Sequence, residues 1–191
     1  MERSIQMNKT VTLVTCGLFT ALMAVGAFIK IMIPLGVWQV TFSLQFFFAL
    51  LAGMVLGSKN GFLSVFAYLL VGLCGVPVFA HGGGLGYLLK PTFGFLIGFA
   101  AAAFITGWIL ERSSSRSFGT LLFAAFWGEM AYYLCGLIYY YLTFNFLLMN
   151  GETIGLVKLI EVWFLSTVVP DFCLCVLAAM TMRRLLPALS R

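Results

Sequence analysis

Apolar positions along this chain do not alternate with polar ones at the short period of a soluble protein. They gather into six long blocks, residues 10–29, 40–57, 61–76, 93–110, 118–144 and 162–182, parted by short polar breaks. About 20 apolar residues make a helix that crosses the hydrocarbon of a bilayer. The pattern therefore predicts an all-α integral membrane protein with six transmembrane helices in one domain, 1–191. The second and third blocks are parted only by GSKNG, residues 57–61, which predicts a tight helical hairpin. The third block is short for a full crossing, so it must tilt, bend or stop inside the protein. The fifth is long enough to extend beyond the membrane. Residues 145–161 mix polar and apolar positions and predict an amphipathic segment at the surface.

Composition agrees and removes the soluble alternative. The chain is 62% hydrophobic and 9% charged, with a mean hydropathy of +1.08; a soluble domain carries about a quarter charged residues. The polar stretch MERSIQMNK leads straight into the first block without a secretory cleavage pattern.

Charge then supplies orientation. Six crossings put both termini on one side, together with Arg3, Lys9, Lys59, Arg112, Arg116, Arg183, Arg184 and Arg191. The opposite side holds only Lys30, Lys90 and Lys158. Cations concentrate in cytoplasmic loops, so both termini are expected in the cytoplasm of a cell membrane. The net charge of +5 reflects that bias rather than nucleic-acid binding. The glycine-rich stretch GVPVFAHGGGLGYLLKPTFGF, residues 75–95, then faces outward.

Several chemistries are missing. There is no GxxxxGK[ST] phosphate loop, and HGGGLGY follows an apolar block instead of opening a βαβ unit. No His, Glu and Cys fall at metal spacing, and no serine occupies a nucleophile elbow. Cys16, Cys74, Cys135, Cys173 and Cys175 read as small residues facing lipid or other helices. The expectation is a protein without an enzymatic step or a cofactor.

Polar residues within the apolar blocks need reasons. Asp171, after Pro170 in STVVPDFCLCVLAAM, is either the N-cap of the last helix or a ligand contact, since acids at membrane depth mark sites. Glu129, in FWGEMAYYLCG, reads first as a protonated or hydrogen-bonded group joining two helices. His81 has a structural reading and a ligand-contact reading, the structural one being commoner for a histidine without a metal partner. Lys90 is either an interfacial lysine or the partner of a substrate carboxylate. Ser43 and Gln45 open the second block, where they satisfy backbone donors or reach a cavity. Tyr87, Trp38 and Trp163 fit an interfacial aromatic belt. Gly17 with Ala21, and Thr20 with Ala24, give the first block four-residue spacing of small side chains, which lets another helix approach closely.

Four stretches resemble the BioY family, the biotin-specificity (S) components of energy-coupling factor (ECF) transporters. They are GLFTALMAVGAFIKIMIPLG, then VTFSLQFFFALLAGMVLGSKNGFLSVFAYLLVGLCGVPVFA, the glycine-rich run from Gly75 to Phe99, and Pro170-Asp171 before the last block. The resemblance implies a six-helix S component that captures biotin on the outer face and hydrolyses no ATP itself. The partners it implies are the transmembrane coupling subunit EcfT and two ABC ATPases, with Gly17, Ala21 and Ala24 on the contact face. The site it implies contains Gln45, the loop from Ala80 to Gly86 (His81, Gly82, Gly83 and Gly84 among them), Tyr87, Thr92 and Asp171. Asp171 would accept from the ureido N–H groups.

The chain departs from the family pattern at several positions. The usual lysine three residues after the acid is Leu174, the usual glycine before Pro-Thr is Lys90, the following glycine is Phe93, and His81 replaces glycine or asparagine. These changes predict that Lys90 or His81 has taken over the substrate carboxylate. They leave open another valerate-tailed acid such as lipoate, and a structural membrane subunit without a small ligand.

Overall fold

The computed structural model describes residues 8–35, 38–147 and 154–189, the side chains of 32–42 excepted. Expectations for Arg3, Arg191, the Trp38 ring and the middle of 145–161 lie outside the described residues. The helices are α1 (Lys9–Phe28), α2 (Gln45–Leu73), α3 (Phe93–Arg112), α4 (Phe118–Leu142), the short α5 (Leu156–Leu159) and α6 (Val168–Leu189). Wider π-type turns continue α4 through Thr143–Leu147 and α5 through Ile160–Leu165. The α5 segment meets α6 at a bend of 44°.

The helical hairpin is tighter than GSKNG suggested. Within α2 only Gly57 leaves helical geometry, at φ 81°, a conformation that glycine adopts without a Cβ penalty. The chain reverses there, so that Gly53 and Gly61 come together and a Cβ on Gly61 would lie 2.9 Å from the Gly53 Cα. With α2 divided at Gly57, the described residues hold six α-helical segments besides the short α5. The second limb, 58–73, is about 24 Å long at 1.5 Å per residue.

One expectation is corrected. Residues 40–43 do not belong to the second helix, which begins at Gln45. They form part of strand β2 (Trp38–Ser43), antiparallel to β1 (Lys30–Leu35) with Lys30 opposite Ser43 and Leu35 opposite Trp38. The apolar run concealed the change, because a short hydrophobic stretch suits strand and helix alike.

Glycines set the spacing of α2, α3 and α4. A Cβ on Gly53 would strike the Ala103 carbonyl, and one on Gly107 would strike the backbone of Ser58. At the same end, the Glu111 carboxylate caps the second limb, accepting from the Ser58 backbone N–H and hydroxyl at 2.7 Å each. Arg116 closes the first limb by donating to the Met54 carbonyl at 3.1 Å. By contrast α1 lies at the periphery: its apolar window is 22% buried, against 61% for α2 and for α3. It is joined to the second limb of α2 through Thr20, whose hydroxyl donates to the Ser64 carbonyl at 2.8 Å.

Candidate functional site

The glycine-rich loop is pinned down by an aromatic plug. Phe79 is 1% exposed, with its ring over Gly72 and against Tyr68, Tyr87 and Phe93. Phe79 and Gly82 exchange backbone hydrogen bonds, and the Gly84 N–H donates to the Gly72 carbonyl at 2.7 Å. Gly82 and Gly84 adopt φ of 111° and 95°, and a Cβ on Gly83 would hit the carbonyls of Val76 and Gly72. The three glycines thus serve the loop's own fold and its approach to the end of α2.

Beneath the loop is a cavity of about 140 Å³. Its walls bring together most of the residues anticipated from the sequence: Gln45, His81, Tyr87, Thr92 and Asp171, with Ser43, Ala80 and Trp163. Gly82, Gly83, Gly84 and Lys90 are outside that wall. Lys90 is exposed, its ammonium 4.2 Å from the Tyr87 ring centroid.

Asp171 is not an N-cap. It lies one turn into α6, its own N–H donating to the Thr167 carbonyl at 2.9 Å, and it is 4% exposed. Its carboxylate accepts from the Tyr133 phenol at 2.5 Å. That phenol is 2.8 Å from the Thr167 hydroxyl, which in turn donates to the Trp163 carbonyl at 2.7 Å. Gln45 is equally constrained. Its Nε2 donates to the Tyr68 hydroxyl at 2.7 Å and to the Met23 carbonyl at 3.3 Å. Tyr68 passes the chain on to the Val78 carbonyl at 3.1 Å, while Ser43 reaches the Gln45 Oε1 at 3.4 Å. Two buried acceptor-bearing side chains, held by protein donors, therefore border an otherwise aromatic space.

The aromatic wall is what the sequence reading missed. Tyr132 stacks on Phe99 at 5.1 Å with the planes 10° apart, and tilts against Phe46 and Phe95; Phe95 also lies 5.2 Å from Trp163. A signal was present. Thr92, Phe95, Leu96 and Phe99 follow the spacing of one helix face, and Trp163, Thr167 and Asp171 recur every four residues.

Glu129 is outside the cavity wall. Fully buried, it accepts from the Cys175 thiol at 3.4 Å, joining α4 to α6 as polar glue does. Its other oxygen has no hydrogen-bond partner among the described residues. Two lysines stand beside wall residues without belonging to the wall, Lys30 against Ala80 and Lys90 over Tyr87. Lys30, at the start of β1, donates from its ammonium to the Ala80 carbonyl. Partial burial, then the charges of Lys30 and Lys90, push the His81 imidazole below its ordinary pKa. Burial raises the Tyr87 phenol above its own.

The chain has relatives in sequence and in fold. The profile of the BioY family matches residues 1–191. The chain belongs to the BioY family. It is 41% identical over 181 residues to the "Probable biotin transporter BioY" of Lysinibacillus sphaericus, covering 95% of this chain and 89% of that one. The "Biotin transporter BioY" of Thermotoga maritima is 48% identical over 104 residues, 54% of this chain and 59% of its own. Among solved structures, the S-component for biotin from an ECF-type ABC transporter superposes with a TM-score of 0.78 at 26% identity, covering 94% of both chains. The family and fold of this BioY chain are those of a multi-pass transporter substrate-binding component, not of an enzyme.

Proposed function

We propose that this BioY-family chain is the biotin-binding S component of an ECF-type transporter. One observation carries the reading: the cavity combines a buried carboxylate, Asp171, with aromatic walls, and lysines stand beside its rim at Ala80 and Tyr87. The carboxylate accepts from ureido N–H groups, the aromatic rings cover the apolar bicycle and tail, and the rim receives the tail's carboxylate. Deep apolar pockets with a few oriented polar groups are the general form of small-molecule sites. Gln45, His81, Tyr87, Thr92 and Asp171 are the wall residues assigned to the ligand.

Uptake then requires partners: the membrane coupling subunit EcfT and two ATPases. The exposed face of α1 supports this, because Gly17 and Ala21 both lie open and a Cβ on Gly17 would meet nothing within 4 Å. Ala24, by contrast, is half-buried against the core. The concentration of Lys59, Arg112, Arg116, Arg183 and Arg184 away from the cavity mouth supports cytoplasmic termini.

Titration of the purified protein tests the substrate. Biotin should saturate it with a Kd of about nanomolar, roughly −12 kcal/mol, with a change in Trp163 fluorescence. Saturation by lipoate without saturation by biotin would overturn the assignment.

A further inference from the structure

We infer that Lys30 is the anchor for the substrate's carboxylate, a part this chain's sequence offered to Lys90 or His81. The inference rests on the biotin reading and assigns the residue that selects for an acidic tail. Lys30 comes from the β-hairpin, fifty residues away from the loop it meets. Its ammonium is held against the carbonyl of Ala80, and Ala80 and His81 both border the cavity. The charge is close enough to His81 to depress imidazole protonation. Neither lysine is part of the cavity wall, but their places differ: Lys30 is half-buried and fixed on a wall carbonyl, whereas Lys90 is exposed and lies over the Tyr87 ring.

The chemistry of the ammonium fits the role. A lysine carries three N–H donors and no acceptor, and the Ala80 carbonyl uses one. A carbonyl fixes the position of the charge without neutralising it, leaving it available to an anion entering beside Ala80. A charge-assisted bond between ammonium and carboxylate is about twice as strong as a neutral one. Leu174, one turn beyond Asp171 on α6, is buried in the core and brings no charge to the site. A cation delivered from β1 supplies the charge from another direction. It also makes Lys30 a latch, since one side chain then holds hairpin, loop and ligand together.

Latch and anchor separate by ligand. Biotin and its neutral amide share the bicycle and the alkyl tail and differ in the charge at the tail's end. Wild type should prefer biotin to the amide. Lys30→Met should weaken biotin by about 10- to 100-fold, the range for hydrogen bonds to charged groups, and the amide by less than about 3-fold. Lys30→Arg should keep the preference. If Lys30→Met does not fold, Lys30→Gln gives the same ratio, because its amide retains a donor but carries no charge. Equal losses for both ligands would make Lys30 a latch only and overturn the inference, as would unchanged binding of both. Wild type that binds neither ligand would instead overturn the biotin reading, and this inference with it.

Discussion

The phenol of Tyr133, on α4, donates to the carboxylate of Asp171, on α6, at 2.5 Å. The bond fixes one lobe of a buried acid and ties together two helices that both border the cavity. Asp171→Asn keeps the shape and removes the charge. It should weaken biotin binding by about 1.5–3 kcal/mol, the scale for bonds to charged groups. Tyr133→Phe should cost less, about 1 kcal/mol, because it loosens the acceptor without removing it. Calorimetry on the two variants checks the order; wild-type affinity in Asp171→Asn would remove the acid from the site.

His81 and the two lysines beside it predict a pH dependence. In the free protein partial burial, Lys30 and Lys90 hold His81 below its usual pKa of 6.5. A bound carboxylate adds negative charge there and raises it, so the complex holds more protons than the free protein between the two values. Affinity should be flat above the bound-state pKa, rise as pH falls through it, and level off below the free-state one. The ligand's own carboxyl stays ionised until about pH 4.3. His81→Asn, or biotin amide with wild type, should flatten the profile in titrations from pH 8 to pH 5.

The open face of α1 predicts a separation of binding from transport. Ala21 is exposed, so Ala21→Trp disturbs nothing inside the chain. It should leave biotin affinity unchanged and abolish uptake in cells that supply the ATPase module, because close helix approach fails first at small residues. Normal uptake by Ala21→Trp would move the coupling face elsewhere.

At the far end of the bundle the expected effects are on stability. Gly107→Val places methyls against the backbone of Ser58 and should cost about 1–3 kcal/mol or more. Glu111→Ala removes both bonds to Ser58 at the start of the second α2 limb and should cost about 0.5–2 kcal/mol. Thermal unfolding in detergent reads both, and neither should change the preference for biotin over its amide.

The sequence revealed the helices because hydrocarbon imposes its length on them, and it revealed Asp171 and Gln45 because a polar group at such depth requires a partner. It concealed the β-hairpin, whose apolar residues continue the neighbouring blocks without a break in composition. It did not separate two uses of the glycines. Gly82, Gly83 and Gly84 fit a ligand-cradling loop, but their conformations are used in closing the loop on Gly72 and Val76. Charge bias put Lys30 on the outer side with Lys90, but its place against Ala80 was hidden, since it depends on a contact across fifty residues. Tyr132 was hidden by abundance: among 20 phenylalanines and seven tyrosines, composition cannot single out those that face inward, whereas Phe99 shared a helix-face spacing with Thr92 and Phe95.

The amide of Gln45 has both its hydrogens committed, one to Met23 on the first helix and one to Tyr68, which holds the loop through Val78. Turning that amide toward or away from a ligand breaks the grip on both neighbours at once. The first helix and the loop above the cavity are therefore tied to one side chain, which is itself part of the cavity wall.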